Sequence, residues 1–430
     1  MKKNALKGTI LHTPSKDCFE IHEDAYLIWD GDTVLGIFDE IPTGEEVTVR
    51  DCKDRLIIPG MSDLHIHAPQ YSFVGIAQNL EDMKWDSWFE KYCFPEESRL
   101  KDPEYAVRLY GRLAKDLLHT PTTRLCAYGT IHTDSTIILM QKLSEAGLAG
   151  YVGKVNMDRN SMPGLLETTE ESISETERFL EETVNRFPGI KPMITPRYVP
   201  SCTKRLLNAL GDLSNRYKVP VQTHLSERSD EIEWVKQLEP DKDCYARCYE
   251  DAGLMQQGYL MAHCVYSDDY ELGVLANHSG MIAHCPQGNM NSSGGCAPVR
   301  KFLDAGVGVG LGTDVAGGNT LNLFKMVFYA VLASKVRNSK ALCCGSNEGI
   351  LSLSEAFYLA TKGGGKMWHT GSFEKGYKMD AVIVDDSRLR GEIKRSPYER
   401  LERIIGMSDD REICGKYVNG RVLFYEEKPA

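Results

Sequence analysis

The sequence has no apolar run long enough to span a bilayer, no block of basic residues and no Cys-x-x-Cys pair. The first absence excludes a helical membrane protein, which needs about 20 consecutive apolar residues per span. The second argues against a nucleic-acid polymer as partner, and the formal net charge of -11 points the same way. A free base or another small metabolite stays open. The thirteen cysteines are scattered, and the adjacent Cys343 and Cys344 cannot close an ordinary disulfide. The N-terminal Met1-Lys-Lys-Asn-Ala-Leu-Lys-Gly lacks the apolar core of an export signal. Together these features predict reduced thiols and a cytoplasmic protein.

What is present describes an ordinary globular chain, with 42% hydrophobic and 26% charged residues. Its 430 residues allow one large domain or two unequal ones. Both ends read as short strands: Lys7–His12, Ala25–Trp29, Thr33–Phe38 and Glu46–Arg50 at the start, Asp380–Val384 and Lys416–Phe424 at the end. The first four predict a small antiparallel sheet. Asn419-Gly420 marks a hairpin turn in the last. Residues 1–57 and 375–430 are thus expected to combine into one accessory β-sandwich domain.

Residues 58–374 repeat a different pattern of apolar strand, loop and amphipathic helix. Asp102-Pro103 supplies an N-cap and a first-turn proline ahead of a stripe at Ala106, Leu109, Leu113 and Leu117. Further stripes run through Ile173, Leu180 and Val184, and through Leu206, Leu210, Leu213 and Tyr217. Eight strands are expected near Leu56–Ile58, Arg124–Tyr128, Gly150–Val155, Pro192–Thr195, Val219–Thr223, Tyr259–Ala262, Met281–Ala283 and Val307–Leu311. Eight parallel strands with intervening helices predict an α/β chain folded as a (β/α)8 TIM-type barrel, with its site at the strands' C-terminal ends. A doubly wound sheet is the competing architecture. The glycines of 306–312 miss the dinucleotide-binding spacing and read as a tightly packed strand.

The residues that follow these strands carry the chemistry. His65 and His67 stand two apart, so an extended backbone turns both imidazoles to one side. His224, His263 and His284 follow the fifth, sixth and seventh strands, and Asp314 follows the eighth. Any one of these histidines alone reads best as a buried, hydrogen-bonded residue. Five of them with an aspartate, all at converging strand ends, predict a metal site. Imidazoles and a carboxylate without thiolate suit zinc, or alternatively iron or another first-row ion, with an open position for an acidified water. At least one histidine can hold that water rather than the ion. Glu227, three residues past His224, reads as a general acid and base rather than a solvated loop carboxylate. Gln70, Arg197 and Tyr198 offer an amide, a guanidinium fork and a ring, which suit a planar heterocycle with amide-like edges. Trp85, Trp88, Tyr92 and Phe94 fit an aromatic lid and ordinary core packing equally.

These residues resemble the amidohydrolase superfamily through Pro59–His67, His224, His263 and Gly312-Thr-Asp314. The more specific stretches resemble its guanine-deaminating members: His65–Tyr71, Lys91–Pro95, Ile131–Ser135, Val152–Val155, Met157-Asp158, Thr195–Arg197, His224–Glu227, Met261–His263, Ile282–Pro286 and Gly310–Gly318. The resemblance implies hydrolytic deamination of guanine to xanthine and ammonia, one zinc per chain on His65, His67, His224 and Asp314, and a homodimer. It further implies that His263 positions the water and that Glu227, with Asp314, handles the protons. His67, Gln70, Arg197, Tyr198, His224, Glu227 and Asp314 would surround the base. Two departures stand out: Tyr198 where the family often has Phe, and Gln287-Gly288-Asn289 where Asn-Ser-Asn is usual. The Pro-Cys-x-x-Cys of deaminases on another fold is missing. Alternatives are a relative acting on cytosine, a triazine or 8-oxoguanine, and a barrel that serves only as a scaffold. The intact ligand set argues against the last.

Overall fold

In the computed structural model, which describes residues 3–80 and 85–427, the apolar run Leu56–Ile58 ends a strand of the terminal sheet, Val47–Pro59. It is not the first parallel strand that its composition predicts. The run is buried throughout because the strand has a core on each face: Leu56 and Ile58 enter the large core, and Ile57 packs with Leu6, Ile10 and Ile383 in a separate one. Pro59-Gly60 then breaks the chain, and the first parallel strand begins at Met61.

The terminal sheet has seven strands in the order Arg421–Tyr425, Ile413–Val418, Ala381–Val384, Val47–Pro59, Lys3–Ser15, Cys18–Asp30, Thr33–Phe38. N- and C-terminal strands meet where Ala381–Val384 pairs antiparallel with Val47–Pro59. Lys3–Ser15 and Val47–Pro59 run parallel, so the sheet is mixed and not antiparallel as expected. The loop after Thr33–Phe38 carries the chain to the far side of Lys3–Ser15 before the next strand starts, which fixes that direction. The sheet curls on itself. Trp29 from one side meets Tyr417 from the other edge-on, with ring centroids 5.6 Å apart, and its indole N–H donates to Gly420 O at 3.2 Å. Asn419 and Gly420 both take positive φ (50° and 74°), as the tight hairpin requires.

Eight parallel strands follow: β1 (Met61–His67), β2 (Thr122–Tyr128), β3 (Ala149–Gly153), β4 (Ile190–Pro192), β5 (Val221–Leu225), β6 (Tyr259–His263), β7 (Gly280–His284) and β8 (Gly308–Leu311). They pair as two sheets, β1-β2-β3-β4 and β5-β6-β7-β8. An Ile194–Val221 bridge links the sheets at one seam. At the other, Asp314 N donates to His65 O at 2.8 Å and His67 N to Val315 O at 3.1 Å. Leu64, Cys126, Leu260 and Met281, from both sheets, share one small inner cluster. The fourth strand is shorter than expected, and Thr195–Pro196 pairs separately with Val155–Asn156.

The helices form where their caps direct them. Asp102 accepts from Glu104 N at the start of Pro103–Leu118, which buries Ala106, Leu109, Leu113 and Leu117. Thr168 and Glu171 close a capping box on Thr169–Thr183, and Thr203 caps Lys204–Tyr217. Among the described residues no helix is long and apolar enough to cross a membrane.

Buried charge joins the terminal sheet to the parallel strands. Arg124 on β2 donates to both oxygens of Asp380, at 2.6 and 3.0 Å, and to Asn419 Oδ1 at 2.6 Å. Lys416, fully buried, donates to Leu117 O at 2.7 Å and Thr122 O at 2.8 Å. Removing one partner of a buried pair strands the other charge. Asp380→Ala is therefore predicted to destabilise the protein by about 3–5 kcal/mol in denaturant unfolding. The double replacement Arg124→Met with Asp380→Leu should lose far less. Equal losses would mean that the pair's charges are not what joins the two units.

Candidate active site

The C-terminal ends of β1, β5, β6 and β8 open onto one cavity of about 430 Å3, lined among others by His67, His224, His263, Glu227 and Asp314. Small-molecule sites span roughly 300–1,000 Å3. Alternation along β1 turns His65 and His67 to the same side, with ring centroids 4.8 Å apart. His67 Nε2 lies 3.2 Å from His224 Nε2. Asp314 Oδ1 lies 3.3 Å from His65 Nε2 and 3.8 Å from His67 Nε2. The backbone is bent to achieve this: Ser226, His263 and Asp314, at or just past the ends of β5, β6 and β8, all take positive φ (47°, 77° and 52°). Such conformations cost roughly 1–3 kcal/mol each and persist where the surrounding structure holds them.

This donor set fits a metal ion. His65, His67 and His224 offer nitrogens that all lie within 4.8 Å of one another. His65 Nε2 is buried with no hydrogen-bond partner. His224 Nδ1 is 2.6 Å from Arg197 O and donates to it, which leaves the Nε2 lone pair facing the cluster. Burial, reinforced by His263, by Arg197 and, for His67 and His224, by the neighbouring imidazoles, holds all three well below their ordinary proton affinity, so they are neutral and able to serve as ligands. Burial raises Asp314 to about 6. Its carboxylate rests against bare backbone: a Cβ on Gly288 would stand 1.9 Å from Asp314 Oδ2, and one on Gly317 2.7 Å. Cys285 Sγ also lies near His65 and His263, but burial raises its pKa far above 9 and it stays a thiol.

His263 is placed differently. Its Nδ1 meets Asn289 Oδ1 at 2.8 Å, and its Nε2 lies 3.7 Å from Glu227 Oε2. Burial opposes charge on this ring, but the carboxylates of Glu227 and Asp314 outweigh it and raise its proton affinity. Burial likewise raises the pKa of Glu227.

Across the cavity a second group gathers on Glu97. Arg197 donates through one nitrogen to both Glu97 oxygens, at 3.1 and 2.9 Å, and lies over the rings of Phe89 and Phe94. Gln70 donates to Glu97 at 2.9 Å and accepts from Ala316 N at 3.2 Å. Trp88, Phe89, Tyr198 and Trp234 supply aromatic wall. The Trp85–Phe94 segment is thus cavity wall and core together: Trp88 lines the cavity and packs on Phe73 at 5.4 Å, and Phe94 is buried. The side chain of Trp85 lies outside the described residues.

The structure therefore brings His65, His67, His224, His263, Glu227, Asp314, Gln70, Arg197 and Tyr198 to one place. His284 does not join them. It is buried at the end of β7 with both ring nitrogens unpartnered, outside the metal-competent groups. Sequence reading missed Glu97 and Asn289. Glu97 sits in the first turn of the short helix Phe94–Ser98 and Asn289 in the helix Pro286–Asn291, and neither stands in a motif that marks it.

The profile of the Amidohydrolase family matches residues 56–423. A guanine deaminase of Dictyostelium discoideum is 36% identical over 432 residues, covering 97% of this chain and 91% of that protein. One of Mus musculus is 35% identical over 443 residues, covering 96% and 95%. Among solved structures, guanine deaminase from C. acetobutylicum, with bound guanine in the active site, superposes with a TM-score of 0.93 at 40% identity, covering 98% of this chain and 100% of that one.

Because Gly288 leaves no room for a side chain beside Asp314, Gly288→Ala is predicted to lower bound metal. The metal content of the dialysed protein should fall roughly ten- to a hundredfold in affinity terms. Full retention would show that the carboxylate is not pinned by this glycine.

Proposed function

The chain belongs to the amidohydrolase family, alongside the guanine deaminases, and from its site we propose how it converts guanine and water to xanthine and ammonia. The observation that carries the account is the pairing of Glu227 and His263, 3.7 Å apart, at the edge of the histidine–aspartate cluster and across one cavity from Arg197.

His65, His67, His224 and Asp314 would hold one zinc, with iron the next candidate on the same donor set. Bound there, the ion supplies the positive charge that brings a water's pKa toward neutrality. Glu227 accepts the water's proton and passes it to the ring nitrogen beside the carbon that bears the amino group. Burial raises its pKa above the ordinary carboxylate range, which makes it a better base for the water's proton. His263, held by Asn289 through Nδ1, directs Nε2 at the water's position and at Glu227. Asp314 is the second carboxylate available to the proton as ammonia leaves.

Arg197, fixed by Glu97, and Gln70 recognise the carbonyl edge of the base. Trp88, Phe89 and Tyr198 exclude water from its faces. Another aminated ring, such as cytosine, a triazine or 8-oxoguanine, is the second reading. A triazine without a ring carbonyl would leave the Arg197 nitrogen that Glu97 does not use without an oxygen to pair with, a ground for rejection; cytosine and 8-oxoguanine carry a ring carbonyl, and a substrate panel separates them from guanine. A scaffold role has no support from a ligand set this complete.

In the same reading the eight parallel strands close as a (β/α)8 barrel from Met61 to residue 374, and the described residues 3–59 and 375–427 form the accessory β-sandwich; the boundary expected at 57/58 moves because Ile58 and Pro59 belong to the terminal strand Val47–Pro59. Phe328, Leu332 and Val336, on one exposed line of the helix Leu323–Cys343, support a homodimer. The absence of any disulfide among thirteen cysteines supports a reducing, cytoplasmic setting.

Glu227→Gln should keep the metal and lose about 10²- to 10⁴-fold in kcat, followed by the absorbance change from guanine to xanthine. Retained turnover would remove Glu227 from the proton path. Glu97→Ala should chiefly raise KM for guanine, by roughly tenfold or more, since Arg197 loses its anchor. An unchanged KM would contradict the recognition role.

A further inference from the structure

We infer that the terminal sheet carries a second metal site, built by His12, Glu20 and His22 for a first-row divalent cation such as zinc. The three residues lie on the hairpin of Lys3–Ser15 and Cys18–Asp30. His12 stands directly opposite Glu20, and His22 pairs with Ile10, one diagonal step away. Glu20 and His22 are two apart on one strand, so all three side chains project from the same face. This is the arrangement that His65 and His67 use on β1.

The distances match those of the catalytic cluster. Glu20 Oε2 lies 3.3 Å from His12 Nε2 and 3.8 Å from His22 Nε2. Asp314 Oδ1 lies 3.3 Å and 3.8 Å from its own two imidazole nitrogens. All three donor atoms of the hairpin group fall within 4.8 Å of one another. A tetrahedral ion with bonds of about 2.0–2.1 Å places its ligand atoms roughly 3.3 Å apart, so only His22 needs a small rotation. A simple ion pair explains one imidazole beside this carboxylate oxygen. The second ring, 3.8 Å from the same oxygen, is beyond hydrogen-bonding distance and within reach of a shared ion.

The surroundings bear on His12 first. His12 is buried; its Nδ1 accepts from the Phe373 amide and lies beside Ser372 Oγ, each at 3.5 Å, so the neutral ring carries its proton on Nε2 toward Glu20, and an ion binding there would displace that proton. Burial also lowers the proton affinity of His12, against the pull of Glu20. His22 and Glu20 keep 34% and 52% of their side chains exposed, so water can complete the coordination. The role assigned is structural: the ion ties two strands together and stabilises the sheet by binding only its folded form.

The test uses full-length protein already loaded with its catalytic metal. Equilibrium dialysis against micromolar free zinc should give two zinc ions per chain in the parent. His22→Ala and Glu20→Gln should each keep one, with guanine turnover unchanged and without the rise in melting temperature that zinc gives the parent. A parent that stops at one ion overturns the proposal. So does a second ion that persists in both variants, since it must then sit elsewhere.

Discussion

Nitrogen lone pairs buried face to face need a positive charge between them. His65, His67 and His224 are all neutral and buried, and His224 spends its one proton on Arg197 O. His65 Nε2 makes no hydrogen bond. Each unsatisfied buried polar group costs about 1–3 kcal/mol, so a cluster of this kind burdens the folded chain until a cation joins it. Asp314, also buried, adds a charge that the same cation would compensate. The rest of the molecule can be understood as what holds these four groups in place despite that cost.

The holding is done by backbone. Strand ends in positive-φ conformations aim His263 and Asp314 inward, and bare glycine backbone at 288 and 317 lets the Asp314 carboxylate sit where no side chain intrudes. Thr313 and the His65 amide both donate to Asp63, which fastens β1 to the segment after β8 just below the cluster. The site's seam is thus also a seam of the sheets. Further out, Arg124–Asp380 and Lys416 fix the terminal sheet to the other end of the parallel strands, far along the chain from the chemistry. Stability and reactivity are placed at opposite ends of the same strands, which lets the upper loops serve recognition.

Much of this was legible in the sequence because it follows short-range rules. The alternation His65-x-His67, the capped helix after Asp102 and the Asn419-Gly420 hairpin each depend on neighbours only. The convergence of His224, His263 and Asp314 was readable because equivalent strand positions meet at one mouth. What failed depended on partners distant in sequence. Leu56–Ile58 is as apolar as a barrel strand because two cores flank it, a fact no local pattern carries. The parallel pairing of Lys3–Ser15 with Val47–Pro59 is set by a loop's path. His284 has the same local pattern as His263, yet lacks a partner such as Asn289. Glu97 carries no local signal of its role, and only the fold puts Arg197 and Gln70 upon it.

The central claim is that one ion on the histidine–aspartate cluster makes guanine hydrolysis possible. Metal-free protein should be titrated with zinc while the absorbance of guanine is followed. The account predicts no turnover at the start and a linear rise that ends at one equivalent per chain, with xanthine as product. Full activity in metal-free protein, or a fully loaded site that leaves guanine intact, would contradict it.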